Sequence, residues 1–99
     1  MLLGENILTM NLFKDTGIQI GDVVQHFKRE MTDPNSNEYL YVIRGIAEHT
    51  ETHETMVVYQ ALYPPFKVYV RPYKMFVSRV DTEKYPNVNQ KFRFERVSV

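Results

Sequence analysis

The sequence predicts a mainly β domain: a small SH3-like barrel of five to six antiparallel strands with one short helical turn and an N-terminal arm. Three observations predict it. Short runs rich in Val, Ile, Tyr and Phe recur from Val23 onward, and β-branched and aromatic residues suit a pleated, half-buried surface. Dense clusters of turn formers, such as Thr32-Asp33-Pro34-Asn35-Ser36-Asn37, separate the runs. Near the end, Phe92 and Phe94 alternate with Lys91, Arg93 and Glu95, which puts two rings on one strand face and charges on the other. Closing such a sheet removes vulnerable edges. An open antiparallel sheet that pairs in a dimer is the alternative.

A chain of 99 residues makes one domain and not two. Residues 1–20 are set apart as an arm, because Gly4 and Gly17 bracket only a short, loosely helical run of Leu and Ile. The domain proper spans residues 21–99. Gly21-Asp22 opens a strand from Val23 to Lys28. After the polar loop comes a long strand, about Glu38 to His49, then the tight link Thr50-Glu51-Thr52-His53 and a second β run from Thr55 to Tyr63. Pro64-Pro65 breaks that run, because proline lacks the donor a ladder needs. Lys67 to Arg71 is a short strand. Pro72 ends it and opens a helical turn, Tyr73 to Phe76. Val77 to Val80 is a candidate strand, and Lys91 to Val97 is the last. In the Thr55–Tyr63 run both faces are largely apolar, with Gln60 the polar interruption. A solvated face is more polar than that, so a cover is expected, either the arm or a second subunit.

The absence of Cys removes disulfides, thiol nucleophiles and thiolate metal sites, and favours a reducing, cytoplasmic setting. No run approaches the ~18 apolar residues that span a bilayer. Met1-Leu2-Leu3-Gly4-Glu5-Asn6 lacks a basic n-region, and Glu5 interrupts any h-region, so no signal peptide is expected. Net charge is zero but unevenly spread: from Glu30 to Thr55 stand six acids and one base, and from Phe66 to Arg96 eight bases and three acids. Such a split can give one face that attracts anions, unless the runs interleave in the fold and cancel. The neutral total argues against tight, nonspecific DNA binding.

Gly21, Val24, His26-Phe27-Lys28, Tyr41-Val42, Ile46-Ala47, His49, Glu51-Thr52, Val57-Val58-Tyr59-Gln60-Ala61-Leu62-Tyr63, Val70-Arg71-Pro72 and Met75-Phe76 follow in a distinctive order. In this the chain resembles the small bacterial family known as domain of unknown function 1653, over Gly21 to about Phe94. The resemblance implies a compact β domain of bacterial or phage type and no established activity. The chain departs from the family pattern in several places. Arg29 stands where the family tends to have Gly, and a longer loop, about Glu30 to Glu38, follows it. Tyr69 replaces a usual Trp, and Pro64-Pro65 replaces a Gly-containing turn.

Catalytic patterns are weak. His49-Thr50-Glu51-Thr52-His53 lacks the His-Glu spacing and helical setting of a zincin. A looser set of His26, His49, His53 and a carboxylate leaves open a small metal-dependent hydrolase. Four Gly residues provide no phosphate loop and no nucleophile elbow. No cofactor is indicated. The constellation that carries chemistry is basic and aromatic: His26, Lys28, Tyr41, His49, Tyr59, Tyr69 and Arg71. Here His26 and Lys28 share a strand face, Arg71 forks onto an anion, and Tyr59 and Tyr69 stack. If these groups converge, the domain is a non-catalytic, self-associating module for a small anionic or nucleotide-like ligand. The competing arrangement has the Tyr residues in the core, His26 satisfied internally and Arg71 bridged to an acid such as Glu51. A second functional reading is an adaptor that holds a peptide on the aromatic face or a strand edge.

Overall fold

The computed structural model describes residues 16–97. Five antiparallel strands form one sheet in the order β4-β3-β2-β1-β5: β1 (Val23–His26), β2 (Leu40–Glu48), β3 (Thr55–Ala61), β4 (Val68–Pro72) and β5 (Phe94–Arg96), with a helical turn α1 (Tyr73–Phe76) after β4. The hydrogen-bonded ladder ends at β4 on one side and β5 on the other. These ends meet through side chains, with the Arg71 guanidinium 5.7 Å from the centre of the Phe94 ring. A sheet curled in this way is consistent with an SH3-like barrel.

The register follows the alternation of the sequence. Val57, Tyr59 and Ala61 of β3 share the interior face of the sheet with Tyr41 and Ile43 of the neighbouring β2, and all five are buried. Val24, Phe76 and Phe94 join them. Phe76 lies flat on Phe94, their centroids 4.1 Å apart, and Tyr59 meets both edge-on. Such ring pairs add stabilisation beyond the area they bury. The core reaches back to Ile18, 4% exposed, and the Gly21 N–H donates to the Ile43 carbonyl. Residues before 16, where most of the expected arm falls, lie outside the described residues.

The outer face of β3, where a cover was expected, is half-buried at Met56, Val58 and Gln60. Gln60 is held there: its Oε1 accepts from Arg44 Nε, and its Nε2 donates to the Phe66 carbonyl.

Three elements differ from expectation, each for a local reason. β1 ends at His26 instead of Lys28, because His26 Nδ1 accepts the Lys28 N–H at 3.1 Å and caps a 3₁₀ turn over Phe27–Met31. Residues 77–80 form an isolated bridge, Arg79 to Phe92, in place of a strand. The last strand starts at Phe94 because the Glu95 carboxylate accepts the N–H groups of Lys91 and Phe92, turning that stretch back on itself.

Arg29 is tied to the loop that follows it. Its guanidinium donates to the carbonyls of Ser36, Glu38 and Pro34 at 2.7, 3.1 and 3.3 Å. Loop and cation form one device, the guanidinium satisfying the carbonyls that the loop turns inward to it.

Candidate anion site

A hollow of about 330 Å³ opens where the 3₁₀ turn, β4, the Arg79–Asp81 segment and the approach to β5 come together. His26, Lys28 and Arg71 line it, as do Arg79, Lys84 and Arg93. Five cations therefore surround one small space, and Asp81 is the one carboxylate among its lining residues. Asp81 Oδ1 is engaged, accepting the backbone N–H groups of Glu83 and Lys84.

Aromatic rings hold most of these cations, in the place where a carboxylate is the usual partner. Arg71 lies over Phe94, Arg79 over Phe92 at 5.2 Å, and Lys84 over Tyr85 at 5.6 Å. Arg71 Nε also donates to the Tyr59 hydroxyl, and Arg93 Nε to Ser78 Oγ. Neither ion pair among the described residues involves any of the five. A ring orients a cation without neutralising it, so the field in the hollow stays strongly positive. The pKa of Arg93 is lowered accordingly, by burial first and by the neighbouring Arg71 second.

His26 supplies a neutral donor at the edge of this field. It is 8% exposed, and its ring packs against Phe27 and Phe94. Burial, with Arg71, Arg93 and Lys28 nearby, pushes its pKa down from 6.5 to about 4. Because Nδ1 accepts a backbone N–H, the proton sits on Nε2. No buried side-chain nitrogen or oxygen among the described residues lacks a hydrogen-bond partner. His26 lines the hollow, and the Nε2 proton is the donor it can offer there.

The residues expected to bind divide into two groups. His26, Lys28 and Arg71 come together, although the chain turns after His26 and the first two do not share a strand face. Tyr41 and Tyr59 are core, 6% and 4% exposed, so neither presents a face for stacking. The Tyr41 hydroxyl is hydrogen-bonded to that of Tyr63 at 2.9 Å, and burial followed by that bond raises its pKa above the ordinary phenol range. Tyr59 serves the hollow indirectly, by fixing Arg71. Tyr69 is partly exposed but packs on Tyr59 and is not among the lining residues. His49 lies on the exposed β2–β3 link, where its Nδ1 accepts the N–H groups of Glu51 and Thr52. His53 pairs with Glu48 at 2.9 Å. Among the described residues no group of three or more His, Asp or Glu is placed to hold a metal ion.

Sequence reasoning missed Arg79, Lys84 and Arg93 as site residues. Their trace was the run of excess base from Phe66 to Arg96. The Arg71–Glu51 bridge of the competing arrangement is not among the ion pairs of the described residues.

A small antiparallel β domain with a basic, ring-supported hollow is the class that fold and geometry define. The family model described as "Protein of unknown function (DUF1653)" matches residues 22–96, and the chain belongs to that family. No curated protein and no solved structure matches it. No helix among the described residues is long and apolar enough to cross a membrane.

Proposed function

We propose that the domain is a non-catalytic binding module for a small anion, which enters the basic hollow charge-first. The observation that supports this is the convergence of five cations, none of them ion-paired among the described residues, on one space beside a neutral His donor. Holding like charges together costs stability, and a bound oxyanion offsets that cost with charge-assisted hydrogen bonds. A volume of about 330 Å³ sits at the small end of ligand pockets. With Tyr59 buried, a nucleotide-like ligand would be held by its phosphates and not by stacking of its base. No Ser, Thr or Cys among the described residues lines the hollow, and its one carboxylate, Asp81, accepts two backbone N–H groups at Oδ1, which supports binding over nucleophilic chemistry there.

Thermal unfolding with inorganic phosphate, pyrophosphate, AMP and ATP tests the reading. An anion present at a hundred times its dissociation constant adds about 2.7 kcal/mol, a rise of roughly 10 °C or more for a domain of this size. Arg71→Ala should abolish the rise while the protein still folds. If none of the four anions shifts the wild-type transition, the reading fails.

A further inference from the structure

β4 is one edge of the sheet. The Ala61 N–H donates to the Lys67 carbonyl. Antiparallel alternation then turns the backbone groups of Lys67, Tyr69 and Arg71 toward β3, and the N–H and C=O of Val68 and Val70 outward. Pro72 adds an outward carbonyl and no donor. The side chains on this edge are also open: Val68 and Val70 are each 58% exposed. Natural sheets guard such edges with short strands, charges or bulges. The β5 edge fits that rule, with three residues that include Glu95 and Arg96. The β4 edge is guarded only at its ends, by Lys67, Arg71 and Pro72, and at its centre reads Val-Tyr-Val.

We propose that β4 pairs with β4 of a second copy, antiparallel about a two-fold axis at Tyr69, so that two five-stranded sheets become one. The edge is complementary to itself. Val68-Tyr69-Val70 reads the same in both directions, so the axis sets each Val68 against the partner's Val70. Every outward donor of those residues then meets an outward acceptor. Tyr69 falls opposite its own copy, where neighbouring rings stabilise a sheet. At each end Lys67 falls opposite the partner's Arg71. Arg71 is drawn onto Tyr59 and Phe94, while exposed Lys67 extends to solvent, so the repulsion weakens the pairing without blocking it. The pairing does not depend on the anion reading.

Sedimentation velocity across about 1 µM to 1 mM tests it, a range suited to a small interface. The wild type should shift from monomer to dimer within that range. Val70→Pro removes an outward donor and leaves the β3 ladder intact, so it should stay monomeric. If it fails to fold, Val68→Lys, which charges the same edge, should give the monomer. Lys67→Glu turns two like-charge pairs into opposite ones and should tighten the dimer roughly tenfold. A wild type monomeric throughout, a dimer that survives Val68→Lys, or a dimer loosened by Lys67→Glu would overturn the proposal; the first of these leaves the edge to a strand from another protein.

Discussion

The acidic and basic stretches of this chain use their charges in opposite ways. From residue 30 to 55, three of the six acids are engaged in separate contacts. Glu30 accepts the N–H groups of Asn89 and Gln90, Asp33 accepts that of Asn35, and Glu48 pairs with His53. None of these acids lines the basic hollow. From residue 66 to 96, four cations from different segments, Arg71, Arg79, Lys84 and Arg93, converge on one space, three of them laid on rings. Equal numbers of opposite charges therefore do not cancel in space. The acids act as caps and latches for loops, and the bases create a field. That field persists because the platforms beneath it are aromatic and leave its charge in place.

The most direct way to break this contrast is to remove a platform. Phe94 is 3% exposed, stacked on Phe76, and sits beneath Arg71. Phe94→Ala should cost about 3–5 kcal/mol, as large-to-small changes at buried aromatic sites do. Most of the stability of a domain this small would go with it. Urea unfolding measures the loss. A cost under about 1 kcal/mol would mean that core and hollow do not share this ring.

Acid sharpens the contrast at His26. Its folded-state pKa of about 4 lies below the ordinary 6.5. Between those values the unfolded chain takes up a proton that the folded chain refuses. Stability from this group is therefore complete above pH 6.5 and declines as the pH falls toward 4, by at most about 3 kcal/mol. His26→Asn keeps an acceptor for the Lys28 N–H and removes the titration. Urea unfolding of both proteins at about pH 7 and about pH 4.5 should show the wild type losing more stability than the variant. Equal losses would mean that burial and the surrounding cations do not hold His26 neutral.

The fold was largely legible because its signals are local. Alternation, proline breaks and turn clusters placed β2, β3, β4 and α1 to within about two residues at each end. Misreadings came where a side chain captured backbone groups. The His26 cap shortened β1, and the Glu95 carboxylate shortened β5; neither capture follows from hydrophobic period. The site was legible in part. Arg71, His26 and Lys28 stood out as charges beside strands. The expectations that Tyr59 stacks on a ligand and that Tyr41 lines the site failed because alternation cannot say which sheet face closes over a core. Arg79 and Arg93 were passed over because their convergence depends on how β5 returns alongside β1, a long-range pairing invisible in any short window.

The smallest stability effects give the most selective test of the contrast. Arg79 is exposed, lies over the partly buried Phe92 ring, and has no carboxylate partner among the described residues. Arg79→Ala should change unfolding stability by no more than about 0.5 kcal/mol. It should still weaken phosphate binding roughly tenfold, the worth of one charge-assisted hydrogen bond. Glu51→Ala removes an exposed charge from the acidic stretch and should alter neither quantity. Titration calorimetry with inorganic phosphate, in low and in moderate salt, separates direct bonding from a diffuse field. If Arg79 bonds to the phosphate, its variant binds more weakly than wild type in both buffers, whereas a purely long-range effect fades as screening shortens. Equal phosphate affinities for the two variants would mean that the bases act by their sum and not by their placement, and the division between local acids and convergent bases would no longer hold.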